Sequence, residues 1–141
     1  MSELVEGGQV NATVLGNNIQ EQDADGNVVF HWSGWEHFYI EDAVYENLTA
    51  GFIDFTHTNS VAVDYDGHII ISNRNLSECT KINRQSHEII WRLGGVNNMF
   101  TFIYMEQNSY QHMIRPVPGK PNHYTLFDNG NYHQPPYSRG L

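Results

Sequence analysis

The chain has little cysteine, little positive charge and no long apolar run. Cys79 is its single cysteine, so an intrachain disulfide is impossible and a cysteine-based zinc or iron–sulfur site is excluded. Lys and Arg number 7 against 16 Asp and Glu, for a formal net charge of −9. No basic run or patch is present to neutralise phosphates, which argues against nucleic-acid binding and against attraction to an anionic membrane surface. No stretch approaches the roughly 18 apolar residues of a membrane-crossing helix; the apolar runs are short, such as His68-Ile69-Ile70-Ile71. Met1 to Asn11 carries Glu3 and Glu6 and no basic segment, so it does not read as a signal peptide. Helical periodicity is scarce as well. Only Trp35 to Thr49 comes near it, with irregular spacing of Trp35, Phe38, Val44 and Leu48.

What remains is an all-β pattern over 141 residues, the size of one ordinary domain. Short runs rich in β-branched and aromatic residues alternate with turn signals. Val28 to Trp32 follows Asp25-Gly26-Asn27, Ser60 to Asp64 runs into Asp66-Gly67, and His68 to Ser72 follows. Glu88 to Leu93 ends at Gly94-Gly95, and His123 to Phe127 ends at Asp128-Asn129-Gly130. Asp-Gly and Asn-Gly suit tight hairpins because they tolerate positive φ. Asp23-Ala24-Asp25-Gly26-Asn27 begins like a calcium loop but lacks the later ligands, and reads as a hairpin turn.

The pattern also repeats. Residues 57–75 match 112–131, each opening on a His and closing on an Asn-rich turn. Residues 20–32 match 81–93. Each period holds about four short strands, the size of a propeller blade. Residues 1–141 therefore read as one partial β-propeller domain of about two to three four-stranded blades. A closed propeller needs about 4–8 blades, so the expectation is a segment of a larger propeller, or one that self-associates or joins other propeller chains through open sheet edges.

The repeat brings His57 and His112 to equivalent positions, which in a propeller face one central channel. Asn59 lies two residues beyond His57, on the same face of a regular strand. Arg74 falls just past the next strand, at the end nearest His57 if the two form a hairpin. Two imidazoles, a guanidinium and a carboxamide suit an anionic tetrahedral substrate. Arg offers a fork of donors to phosphate- or sulfate-like oxygens, a neutral His can attack, and a second His can move a proton. His31, His37, His68, His87 and His133 read as surface or turn residues and His123 as a strand residue. No His-x-His or Glu-x-x-His spacing supports a metal site. Three N-glycosylation sequons begin at Asn11, Asn47 and Asn75. A glycan on Asn75 would obstruct this cluster.

From about Asp54 to Arg139 the chain resembles the arylsulfotransferase family, the enzymes that use an aryl sulfate and not a nucleotide sulfate as donor. The resemblance rests on His57-Thr58-Asn59-Ser60-Val61, Asp66-Gly67, Ile71-Ser72-Asn73-Arg74-Asn75, Thr80-Lys81-Ile82-Asn83-Arg84, Ile89-Ile90-Trp91-Arg92-Leu93-Gly94-Gly95, Tyr110-Gln111-His112, Leu126-Phe127-Asp128-Asn129-Gly130 and Ser138-Arg139 in this order. It implies a six-bladed parent propeller, periplasmic or extracellular, acting on aryl sulfates and phenols without a cofactor. By the same resemblance His112 is the nucleophile that carries the sulfuryl group, His57 and Arg74 hold the sulfuryl oxygens, and Asn59 assists in binding. The chain departs from the family at Met113, where many relatives have an acidic residue, and at Gly140, where Ala is usual. The family's further active-site His in an earlier blade has no match before Asp54. Two other readings stand beside transfer. One is a non-catalytic propeller module with a binding or assembly role; the other is a hydrolase of sulfate or phosphate esters.

Overall fold

Turn residues delimit the strands, and period-two alternation decides what each strand buries. The structure is a computed structural model and describes residues 5–141; of the stretch Met1 to Asn11, the first four residues lie outside it. The described residues form β1 (Thr13–Leu15), β2 (Asn18–Gln22), β3 (Val28–Ser33), β4 (Phe52–Asp54), β5 (Thr58–Val63), β6 (Ile69–Asn73), β7 (Glu78–Ile82), β8 (Ile89–Gly94), β9 (His112–Pro116), β10 (Tyr124–Asp128) and β11 (Arg139–Gly140). The fold is all-β. The segment with irregular helical spacing holds only two single 3₁₀ turns, Gly34–Glu36 and Ile40–Asp42.

Four sheets result. β5-β6-β7-β8 is an antiparallel meander, β2-β3 is a hairpin, β9 and β11 flank β10, and β1 pairs with β4 in parallel. The turns account for the hairpins. Between β2 and β3 the Asp23 carboxylate accepts the backbone N–H groups of Asp25 and Asn27 and the Asn27 side-chain amide, while Gly26 sits at φ +84°. The carboxylate is spent inside the turn, as a hairpin requires. Between β5 and β6, Gly67 takes φ +80° and its N–H donates to Asp64 O.

The two middle strands of the meander are buried on both faces. Every residue of β6 and β7 is buried, so these two strands lie within the molecule and not on its surface. Alternation sorts them. Ile69 and Ile71 join Ile19, Phe30, Trp32, Ile53, Phe55 and Ile82 in one apolar cluster. Ile70 and Cys79 point the other way, into a second cluster with Ile114 and Leu126. The β2–β3 hairpin thus covers one face of the meander and the β9–β11 sheet the other. Trp32 adds a directional bond, its Nε1–H donating to His87 O at 3.0 Å. Each fully buried Ile contributes on the order of 2 kcal/mol through removal from water. Burial pushes the Cys79 thiol up to about 12, so it behaves as a small apolar core group.

Charge is buried where several partners meet it. Lys81, nearly inaccessible on β7, lies 2.6 Å from both Asp64 and Asp66, and the Tyr124 hydroxyl donates to Asp64 at 2.6 Å. Burial alone would lower Lys81, but its carboxylate partners outweigh that and hold it above its ordinary value. This cluster ties the β5–β6 turn to β7 and β10. His133, read as a surface or turn residue, lies in a turn-rich stretch but is buried, at 2% exposure. Its Nε2 contacts Gln107 O at 2.9 Å and Asp128 at 3.4 Å, because Asp128 also gathers Arg139 and the Ser109 N–H and draws the loop inward.

Glu78, 1% exposed at the start of β7, is the costly case. Burial raises its carboxyl to about 7, against the opposing pull of the Thr80 hydroxyl and Arg92. A carboxyl raised in the folded state binds its proton more tightly there than when unfolded. Its contribution is therefore full below the ordinary value and is lost as pH rises through about 7. Glu78→Gln keeps the acceptor for Thr80 and removes the titration. In urea unfolding, the variant should gain roughly 2–3 kcal/mol over wild type between pH 5 and pH 8. A pH-independent difference would show that Glu78 does not titrate as a buried acid.

Candidate functional site

Antiparallel pairing of β5 with β6 puts Thr58 opposite Asn73, so the residues just outside those positions meet. The Arg74 N–H donates to His57 O at 3.1 Å, and the Asn75 N–H to Thr56 O at 3.2 Å. β9 packs against β5 and β6, which brings its first residue, His112, to the same end. Asn59 closes the connection, its Nδ2 donating to Gln111 O at 2.9 Å. His57, Asn59, Arg74 and His112 thus gather at one end of the meander.

The route to this cluster differs from the expected one at Asn59. His57 does not belong to β5; it precedes the strand at φ +46°. The β5–β6 register shifts between Thr58 and Ser60, a bulge that contains Asn59. Strict alternation does not run through a bulge, so Asn59 reaches the cluster by its bond to Gln111 O and not by sharing a regular face with His57.

Each group is held differently. Arg74 stacks its guanidinium 3.9 Å from the centroid of the Tyr110 ring and donates Nη1 to Asn75 Oδ1 at 2.8 Å. Among the described residues no carboxylate lies within ion-pair distance of it, whereas Lys81, Arg84, Arg92 and Arg139 are all paired. An aromatic face orients a guanidinium while leaving edge donors for an anion. The Tyr110 hydroxyl donates to Glu46 and lies 3.3 Å from the Tyr132 hydroxyl, which fixes the ring that Arg74 rests on. The Asn75 side chain is buried and donates to Asp54 O at 2.5 Å, so the sequon there is not open to a glycan in the folded chain.

His112 is half-buried, and its Nε2 is buried with no partner among the described residues. A buried polar atom without a partner is uncommon and calls for an explanation. Burial first, then the charges of Arg74 and of His57, push His112 below the ordinary histidine value. At neutral pH it is therefore the uncharged imidazole, the form that can attack. Met113 beside it is exposed, at φ +56°.

Asp54, Tyr110 and Gln111 lie outside the expected set of site residues yet hold it together. Gln111 is fully buried, and its Nε2 lies within hydrogen-bond reach of Ser72 Oγ, Asn73 O and Glu78 O. The signal for Asp54 is its spacing, Asp-x-x-His, ahead of His57. For Gln111 it is the position directly before His112. Two cavities lie elsewhere. One of about 270 Å³ is walled by Tyr45, Ser77, Asn108 and Tyr132, and one of about 450 Å³ by Trp91, Phe100 and Tyr124.

The electrostatics give a direct check. The His112 ring proton resonance should titrate below about 6.5, and Arg74→Met, which keeps an apolar contact with Tyr110, should move the midpoint upward. An unmoved midpoint would show that the Arg74 charge does not act on this imidazole.

Comparison with known proteins agrees with the motifs. The family model for arylsulfotransferase (ASST) matches residues 2–139, nearly the whole chain. No curated protein matches the chain, and no solved structure does. The chain belongs to the arylsulfotransferase family.

Proposed function

We propose that this member of the arylsulfotransferase family uses His112, His57 and Arg74 to move a sulfuryl group from an aryl sulfate to a phenol. The observation that carries this reading is a guanidinium without a carboxylate partner beside an uncharged imidazole whose Nε2 is unengaged. In the first half-reaction a ring nitrogen of His112 attacks sulfur, the nitrogen–sulfur bond forms, and the sulfur–oxygen bond to the aryl group breaks with release of phenolate. In the second, an acceptor phenol oxygen attacks sulfur, its proton passes to a base, and the nitrogen–sulfur bond breaks. Arg74 and His57 stabilise charge on the sulfuryl oxygens, and Asn59 helps seat the group. Such transfer depends on positioning and on donors aimed at developing charge, and it calls on no cofactor.

The same reading makes the sheets parts of a propeller. β5–β8 is one complete four-stranded blade, β2–β3 the outer hairpin of the one before, and β9–β11 most of the next. The matched repeats support this, since 57–75 and 112–131 cover the hairpins β5–β6 and β9–β10, and 20–32 and 81–93 fall on β2–β3 and β7–β8. Further blades would close the ring and wall the site, in a periplasmic or extracellular setting. One observation favours the second reading, a non-catalytic module for binding or assembly. The His57 side chain is 47% exposed, so these sheets by themselves leave this part of the cluster open.

Mixing the protein with p-nitrophenyl sulfate should give a phenolate burst and a sulfuryl adduct on His112, read by intact mass and peptide mapping. His112→Ala should lose both, and Arg74→Lys, which lacks the fork, should slow the burst about 10²-fold. Added phenol should divert product from inorganic sulfate to aryl sulfate; sulfate alone would indicate a hydrolase. A folded wild-type chain with neither burst nor adduct would leave the binding module as the better reading.

A further inference from the structure

We propose that Asp54 is the positioning residue for His57, holding its ring by Nδ1 so that Nε2 is the nitrogen left for substrate. This rests on the reading of the site given above. Asp54 Oδ2 lies 2.6 Å from His57 Nδ1, and Asp54 Oδ1 accepts the His57 backbone N–H at 3.0 Å. One carboxylate therefore grips both the ring and the backbone of the same residue. The backbone needs that grip. His57 sits at φ +46°, a left-handed conformation that costs a non-glycine residue energy and persists where the surroundings impose it.

Asp54 is itself fixed. It ends β4, opposite Leu15 of β1. Its carbonyl accepts the Asn75 side-chain amide, and Asn75 Oδ1 accepts Arg74 Nη1. His57 and Arg74 are thus tied to each other through Asp54 and Asn75, apart from the substrate that both would bind. The pair is partly exposed, with the His57 side chain at 47% and that of Asp54 at 28%, and an exposed ion pair held by one oxygen alone would leave the ring free to turn. Here the second oxygen is already committed to the backbone, so the carboxylate cannot rotate away without releasing φ.

A carboxylate only accepts, so the ring nitrogen facing it must carry a proton. His57 is then either the Nδ1–H tautomer with a free Nε2 or the imidazolium with an Nε2–H donor. In both states Nε2 is the nitrogen left for substrate: as the imidazolium it donates to a sulfuryl oxygen, and as the neutral tautomer it accepts a proton from a phenol oxygen. In Asp54→Asn one oxygen becomes an amide donor. The backbone N–H still requires an acceptor, so Oδ1 stays with it and the amide faces Nδ1. The ring must then accept there and carry its proton on Nε2. The fold survives and the tautomer reverses, as a mispaired triad carboxamide does elsewhere.

The test is the tautomer of the neutral His57 ring, read from nitrogen-15 chemical shifts and two-bond proton couplings in labelled protein at alkaline pH. Wild type should show Nδ1–H and Asp54→Asn should show Nε2–H, with thermal unfolding little changed. In the burst assay the variant should lose about 10²-fold or more in rate with a smaller change in half-saturation, a split that a general loss of stability would not produce. An Nε2–H tautomer in wild type overturns the inference without any variant. So does an Asp54→Asn protein that keeps wild-type tautomer and rate. A wild-type chain with the Nδ1–H tautomer and no burst defeats the transferase reading and leaves the grip of Asp54 on His57 standing.

Discussion

The buried carboxamide of Gln111 is the interaction on which the arrangement of this molecule depends. It is fully buried between the meander and the strand that follows. Its amide nitrogen reaches Ser72 and the carbonyls of Asn73 and Glu78, and its oxygen accepts from Asn108. Its own backbone carbonyl accepts from Asn59 and Ser72. Leaving any one buried partner unmade would cost about 1–3 kcal/mol, so β9 has one favourable seat against β6 and β7. The next residue is His112. Satisfying an amide in the core therefore sets the position of an imidazole at the site.

Charge is distributed to the same end. The chain carries an excess of acid, and four of its seven Lys and Arg are used in ion pairs, Lys81 with Asp64 and Asp66, Arg84 with Glu21, Arg92 near Glu78 and Arg139 with Asp128, while Arg115 and Lys120 have no carboxylate partner among the described residues. Arg74 is treated differently. It rests on Tyr110, which is held by Glu46 and Tyr132, and its positive field falls on His112. An anion is thus met by a cation that no carboxylate neutralises, next to a ring kept uncharged partly by that cation.

Much of the fold can be read along the chain because its causes are local. Asp23 to Asn27 closes a turn with its own carboxylate, and the β-branched run Ile69-Ile70-Ile71 forms a strand buried on both faces. β7 and β9 are harder to see. Glu78, Thr80 and Lys81 look like an exposed polar strand, and only the ion cluster and the packing on both sides make it a buried one. His133 is the same kind of case: a His in a turn-rich stretch is ordinarily exposed, and it is Asp128, reaching also to Arg139, that draws this one inward.

The sequence by itself determined the all-β class, the hairpins, the family and the meeting of Arg74 with His57, because each follows from alternation, turn chemistry or motif order over a few residues. The tertiary structure decided what surrounds those residues. The bulge at Asn59, the aromatic rest under Arg74, the orphaned Nε2 of His112 and the two-handed hold of Asp54 on His57 depend on backbone geometry and on partners distant in the chain. Burial turns those contacts into constraints. A polar group withdrawn from water must find its partner wherever the fold supplies one, and no local pattern says where that is.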